Sequence, residues 1–544
     1  MARMSSHPPE EDSPLRPAAA RRSVTALEPL GVPVFRLLWS TWLTANLCMW
    51  MTDVAAAWTM TTLTNTPIWV ALVQSASTLP VFLLGLASGA LADIVDRRRL
   101  LFATQFWLAL TAGALCAVTA SGWMNAPLLL VLVFTNGIGL AMRWPVFAAI
   151  VPDLVPRTQL AAALALNGVA MNLSRIVGPL VAGALIASAG SVWVFALNMV
   201  LSLLSAFVVL RWRHEHTPHP LGRERLVSAM RVGLQFVRQS PRMRAVLSRV
   251  TIFFLHSMAL LALLPLLARG LPGGDAGTYT VLLASMGAGA IVAVLALPRL
   301  RQAYGRDDLV VRGTVLQSAA TAAMAVVPSA WLAVPAMVAA GMAWITVANS
   351  LSVSAQMSLP NWVRARGMAS YQMAIMGSSA LGAALWGQVA TVGTVPTALF
   401  AAAASGVLAM LLTVRFFTDN SEEEADMSPA RDGWAARPTG APQEGARIVT
   451  TVEYLIDPAR AEAFVLLMQE SRRARLGEGA IGWQLLNDVR DPARFVEEIV
   501  DESWTEHLRR FHRATTADMQ LRERRLGFHL GDEPPRVSRY TVQR

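Results

Sequence analysis

Asp53 and Arg175 stand deep inside long apolar runs, where a charged side chain needs a partner, a hydrated cavity or a job. A charge at the centre of a hydrocarbon layer costs about 3 kcal/mol even on the mildest insertion scales, so such residues mark ion or substrate pathways by default. Counting about 1.5 Å per residue from Phe35 puts Asp53 roughly 27 Å along its run, toward the far side. There it either carries a proton or faces a water-filled vestibule. Arg175, in Asn172-Leu173-Ser174-Arg175-Ile176-Val177-Gly178-Pro179, falls near the middle of its run, and Asp53 is the nearest candidate partner in depth. Arg143, in Ala141-Met142-Arg143-Trp144-Pro145, lies closer to an end. It either snorkels to the headgroups or draws an anionic substrate inward. His256 either titrates or, as a lone histidine in an apolar run more often does, serves as a satisfied helix-contact residue.

A second charged stretch is Gly89-Ala90-Leu91-Ala92-Asp93-Ile94-Val95-Asp96-Arg97-Arg98-Arg99-Leu100-Leu101. It joins two apolar runs through a turn too short to leave the headgroup region, and its arginines hold that turn on the cytoplasmic side.

The elements that must position these residues follow from composition. Of 544 residues, 54% are hydrophobic and only 15% charged, against about a quarter charged in ordinary soluble domains. Apolar runs bounded by Gly, Pro and charge predict twelve spans, at about 35–63, 68–92, 100–120, 127–151, 161–187, 192–210, 246–268, 278–298, 309–328, 331–357, 366–390 and 395–417. Arginines concentrate in alternate connections, which predicts that both termini are cytoplasmic in a bacterial inner membrane. The net charge of +10 thus serves topology and anionic lipid, with no call for nucleic acid. Cys48 and Cys116 lie within apolar runs and make neither a disulfide framework nor a metal cluster.

The expected organisation is a disordered tail (1–30), a six-helix half (31–210), a basic loop (211–245), a second six-helix half (246–417), a linker (418–446) and a small cytoplasmic domain (447–544). Residues 224–238 are amphipathic and predict a surface helix. Gly137, Pro156, Gly178 and Gly183 recur 204 residues later as Gly341, Pro360, Gly382 and Gly387, as duplicated halves would require. Beyond the linker, strands at 447–456, 481–489, 495–500 and 536–542 alternate with helices at 458–476 and 504–525. That βαββαβ order describes a ferredoxin-like α+β domain.

Gly89, Asp93, Arg97 and Arg98 fall on the Gly-x-x-x-Asp-(Arg)-x-Gly-Arg-(Lys/Arg) loop of the major facilitator superfamily, which the chain resembles; Ile94 and Asp96 depart from it. The resemblance implies that Asp93 and the basic pair Arg97 and Arg98 form a charge relay that locks the two halves in one state. Gly178-Pro179-Leu180-Val181-Ala182-Gly183 is similar to the Gly-Pro-x-x-Gly-Gly element of proton-coupled antiporters, with Ala182 in place of one Gly. Physically, Gly178 and Gly183 permit close helix contact and Pro179 adds a bend. Phe35-Arg36-Leu37-Leu38-Trp39, Trp50-Met51, Val151–Pro156 and Arg175–Pro179 resemble the branch of transmembrane secretion effectors grouped with the enterobactin exporter. That resemblance covers about residues 30–417 and implies export of siderophores, drugs or, in some members, metal ions. The run Glu502-Ser503-Trp504-Thr505-Glu506-His507-Leu508-Arg509-Arg510-Phe511-His512-Arg513 resembles antibiotic-biosynthesis monooxygenases, relatives that need no metal and often pair through their sheets.

The expectation is therefore an all-α membrane protein of the twelve-span major facilitator fold plus the ferredoxin-like domain. It exports a small organic molecule by alternating access, with proton coupling. No Gly-x-x-x-x-Gly-Lys-Ser/Thr loop is present to drive transport with ATP. No catalytic residue, cofactor or metal site is expected. The competing readings are a tethered monooxygenase-like enzyme, a metal-ion exporter and a membrane receptor that transports nothing; dimerisation through the C-terminal domain is a further expectation.

Overall fold

The computed structural model describes residues 27–94, 96–156, 158–212, 226–360, 362–416, 426–428 and 446–542, so the expected tail and most of the linker lie outside the described residues. The first half contains α1 (Pro33–Leu63), α2 (Pro67–Ile94), α3 (Arg97–Ala120), α4 (Ala126–Leu154), α5 (Leu160–Ala189) and α6 (Ser191–Arg211). A short helix, α7 (Leu226–Gln239), precedes the second half: α8 (Pro241–Gly270), α9 (Ala276–Ala303), α10 (Arg306–Met324), α11 (Ala330–Met357), α12 (Arg364–Val392) and α13 (Val395–Phe416). Proline in the first two positions opens α1, α4 and α8, where its missing N–H costs nothing. Side-chain caps from Asn125, Ser240 and Asp275 satisfy the first amides of α4, α8 and α9.

Among the described residues, 10 helices are long and apolar enough to cross a membrane. The two that fall short of the expected twelve are α1, rich in threonine and carrying Asn46 and Asp53, and α10, which begins with Arg306, Asp307 and Asp308. Both are nonetheless held within the bundle, α1 against α5 and α6, and α10 against α11 and α13.

Helix pairing repeats between the halves. Packing of α1 on α5, α1 on α6, α2 on α4 and α3 on α6 is matched by α8 on α12, α8 on α13, α9 on α11 and α10 on α13. The glycines of the 204-residue repeat sit at equivalent contacts. A Cβ on Gly137 of α4 would lie 2.8 Å from the Ser77 carbonyl of α2, and one on Gly341 of α11 would lie 1.9 Å from the Met286 carbonyl of α9. Gly178 brings α5 onto Trp50 of α1, and Gly382 brings α12 onto the Leu255 carbonyl of α8. Gly183 brings α5 onto Thr280 of α9, and Gly387 brings α12 onto Ile68 and Ala71 of α2. The last two contacts run between the halves. Pro156 and Pro360 carbonyls accept from Gln159 and Val363 in the matching turns, at 2.9 and 3.1 Å.

The C-terminal domain has the order β1 (Ile448–Leu455), α14 (Ala461–Gly477), β2 (Gly482–Asn487), β3 (Arg494–Asp501), α15 (Trp504–His512), α16 (Thr516–Leu526) and β4 (Arg536–Thr541). Its antiparallel sheet is ordered β2-β3-β1-β4, and α14 packs on it through Phe464 and Met468 against Tyr454 and Phe495. The single helix expected over 504–525 is two. Thr515 interrupts it by making a capping box with Asp518, which starts α16 afresh. The domain docks on α7: Gln235 donates to the Ala480 carbonyl at 2.7 Å and Arg231 pairs with Glu502. Arg513 lies over Trp362, 5.1 Å from the ring centre, and Phe236 meets the same indole edge-on.

Candidate functional site between the helix halves

Arg175 projects from α5 into the seam between the halves. Its guanidinium lies 5.8 Å from the ring centre of Trp50 on α1 and 5.5 Å from that of Trp344 on α11. One indole belongs to each half. Trp344 is itself fixed edge-on by Phe253 and Phe254 of α8. A weakly hydrated planar cation between two aromatic faces is stabilised there without a carboxylate, and among the described residues none is within ion-pairing distance of Arg175.

Asp53 points elsewhere. Its Oδ1 accepts a hydrogen bond from the Ser77 hydroxyl of α2 at 3.0 Å. The pairing of Asp53 with Arg175 expected from depth is therefore not made. Two residues away, Ser75 donates to the Ala380 carbonyl of α12 at 2.7 Å, so Asp53 is coupled through α2 to the boundary between halves.

Arg143 does not reach for the headgroups. It is buried, donating to the Ala45 carbonyl at 2.9 Å and to Asn46 Oδ1 at 3.3 Å, with Trp42 under its guanidinium. Arg143 and Ala45 border a cavity of about 20 Å³ inside the first half, lined also by Thr52, Asn136 and Asn198. That volume suits roughly one water. Asn198, an amide that no motif or spacing singles out, ties α6 to α1 by donating to Thr52 Oγ1 at 2.6 Å. The second half holds a smaller counterpart beside Thr314 and Gln317. His256 borders it, with Nδ1 2.7 Å from the Ile252 carbonyl of its own helix, as a contact residue should be.

In the gate-like turn, Asp96 caps α3 by accepting from Arg99 N at 2.8 Å. That explains an acid where the resembling motif has glycine. Arg98 donates to the Leu210 carbonyl at the end of α6, in the same half. Helix α2 passes through Gly89 and Asp93, but the side chain of Asp93 and the surroundings of Gly89 lie outside the described residues. The element Gly178, Pro179 and Gly183 places its two glycines against α1 and α9, as given above.

The halves touch unequally along their length. At the end away from the Arg97 turn, one apolar cluster combines Met51, Leu115 and Phe195 of the first half with Leu264, Leu282 and Met337 of the second. Arg269 there donates to Thr61 O and Asn65 Oδ1, and Ile68 N to Thr391 Oγ1 at 2.9 Å. At the end bearing the turn, the clusters around Phe35 and Phe147, around Leu101 and Val209, and around Phe253 and Leu351 each stay within one half.

His507 and His512 do not share a ligand face. His507 Nδ1 lies 2.6 Å from Asp501, which also takes two hydrogen bonds from Arg510. Among the described residues no group of three or more His, Cys, Asp or Glu side chains could hold a metal ion.

Two pseudo-symmetric helix halves with Arg175 held between indoles in their seam define a secondary-transporter architecture. Solved structures show the same fold at low identity. A POT family transporter in complex with 5-aminolevulinic acid aligns with a TM-score of 0.60 at 12% identity, over 71% of this chain and 96% of that one. The nucleoside transporter NupG gives 0.57 at 13% identity, over 70% and 99%. The family described as transmembrane secretion effector matches residues 24–544, through the C-terminal domain, and the chain belongs to it. Its relatives include the staphyloferrin A transporter of Staphylococcus aureus (strain NCTC 8325 / PS 47), 22% identical over 48% of this chain and 66% of that protein. Another is macrolide efflux protein A of Enterococcus faecalis, 26% identical over 40% and 68%. A third, the MFS-type transporter YfiS of Bacillus subtilis (strain 168), matches over only 42% of its length at 27% identity.

Proposed function

We propose that this chain is a twelve-span secondary transporter of a bacterial inner membrane, with cytoplasmic termini, that exports a small organic molecule of siderophore or drug type by alternating access. The observation that carries this reading is the asymmetry of the seam. The halves share an apolar cluster at one end, and at the other end each packs on its own core. Positive-inside placement of Arg97–Arg99 makes the separable end cytoplasmic, so the arrangement is inward-facing. Packed halves are bistable and not continuously deformable, which suits rocking about the Gly183–Thr280 and Gly387–Ala71 contacts. Siderophore and macrolide relatives support the substrate class.

Within this reading Asp53 exchanges a proton, Arg175 holds anionic cargo or its counter-charge, and Asp93, Arg97 and Arg98 with Gly89 form the cytoplasmic latch. Inward-facing geometry is the state that loads cargo from the cytoplasm. A deletion strain is tested for macrolide sensitivity and siderophore secretion, and the affected compound is then followed into inverted vesicles with and without a pH gradient. Gradient-driven uptake that becomes gradient-independent in Asp53→Asn is expected. Uptake that ignores the gradient in the parent chain, or the same coupling in Asp53→Asn, removes the proton role.

A further inference from the structure

A cavity of about 360 Å³ opens in the C-terminal domain between α15 and α16 and the face of β1, β3 and β4. Its size lies in the range of small-molecule sites. Five arginines line it: Arg475, Arg510, Arg522, Arg525 and Arg539; no carboxylate is among the lining residues. Three of them, Arg475, Arg510 and Arg525, are more than nine-tenths buried. The acids that answer them stand behind the wall. Asp501 takes both bonds of Arg510, at 3.0 and 3.1 Å, and Glu497 takes Arg525 at 3.2 Å.

The wall keeps polar capacity in reserve. The Thr450 hydroxyl, which lines the cavity, is buried with no hydrogen-bond partner among the described residues, and so is Nε of Arg525. Arg539 lends its Nε to His507 Nε2 at 3.3 Å, and among the described residues no carboxylate pairs with it. Buried donors without partners are costly in a finished structure, and a cationic pocket concentrates anions. Most of the remaining lining is apolar, with Phe511, Leu526 and Val537 among it; Tyr454 also lines the cavity, and its hydroxyl donates to Glu497 at 3.2 Å.

We propose that this cavity is a binding site for an amphiphilic organic anion, a carboxylate on an apolar or aromatic body. The carboxylate meets Arg522, Arg525 and Arg539, with the Thr450 hydroxyl as a further donor, and the body lies against Phe511 and Val537. Its mouth arginines, Arg522 and Arg539, are exposed and hold no part of the domain core. The site stands apart from the helix seam and does not depend on the transport reading.

The test uses the full chain in lipid nanodiscs, titrated with 4-fluorobenzoate and with the neutral 4-fluorobenzamide, read by 19F NMR against empty discs. Saturable binding of the acid, at least tenfold tighter than the amide, is expected. The double variant Arg522→Gln/Arg539→Gln weakens it at least tenfold, Arg522→Lys/Arg539→Lys keeps most of it, and Val537→Trp abolishes it by filling the cavity. Unchanged hydrogen exchange over 446–542 confirms that each variant is folded. No saturable binding at millimolar acid, equal binding of the amide, or binding that survives both the glutamine pair and Val537→Trp would overturn the proposal.

Discussion

Arg175 is the residue on which the two halves converge, and its chemistry predicts how it fails. A guanidinium stacks flat between indoles, whereas an ammonium is compact and strongly hydrated. Arg175→Lys therefore keeps the charge but loses both faces, and transport is expected to fall about tenfold or more, taking each cation–π contact as about 1 kcal/mol in a partly desolvated site. Trp344→Leu should have a comparable effect, measured as initial rate in vesicles with surface-accessible protein held equal. Depth along the sequence put Asp53 and Arg175 at comparable heights, but height does not fix azimuth, and each residue turns a helix by about 100°. Their true neighbours, Ser77 and the two tryptophans, were illegible because an indole in an apolar run looks like any core aromatic.

Glu478, at the end of α14, makes a prediction of its own. Burial and the charge of Asp518 push its carboxyl up to about 7, against the pull of Arg475, Arg510 and Arg525. A carboxyl raised above its ordinary 4.5 supports the fold fully below that pH and loses this contribution as pH rises through about 7; the gap is worth about 3 kcal/mol at most. Hydrogen exchange over 478–513, corrected for its intrinsic pH dependence, should quicken between pH 5.5 and 7.5. In Glu478→Gln that change should vanish, and its persistence would assign the effect to another group.

At the scale of elements, the glycines of the 204-residue repeat decide how closely helices approach. A Cβ on Gly183 would stand 1.8 Å from Thr280 Oγ1, so Gly183→Val must push α5 away from α9. Transport should be lost with normal insertion, and Thr280→Gly in the same chain should restore part of it, since removing that side chain clears the space. These contacts were legible because a repeat in glycine and proline records backbone approach, which no other residue type satisfies. Helix α1 carries Asn46 and Asp53 among its threonines, and α10 opens on Arg306, Asp307 and Asp308. These polar positions keep both below the hydropathy of a membrane span, so 10 helices reach it among the described residues. The break between α15 and α16 escaped notice because Thr515 and Asp518 form a capping box inside a run that otherwise reads as one helix.

At the scale of the molecule, α7 is clamped on both sides. The C-terminal domain holds it through Gln235 and Arg231, and α12 presses Arg366 against Gly233. Charge reversal at one exposed partner, Glu502→Arg, is expected to loosen the domain, seen as faster proteolysis of the linker in the full chain; surface pairs of this kind contribute about 0.5 kcal/mol each. The run Glu502–Arg513 thus supplies Glu502 and Arg513 to the docking surface, while Arg510, held from behind by Asp501, forms part of the wall of the arginine-lined cavity.

Electron-spin distances across the seam test the central claim most directly. With Cys48 and Cys116 replaced by serine, one pair of labels at positions 34 and 357 reports the end bearing the Arg97 turn, and another at 123 and 392 reports the opposite end; all four positions are exposed. On shifting the nanodisc-embedded chain from pH 8 to pH 5.5, the distances are predicted to change in opposite senses, one end closing as the other opens. Two distances that stay fixed, or that widen and narrow together, would contradict alternating access.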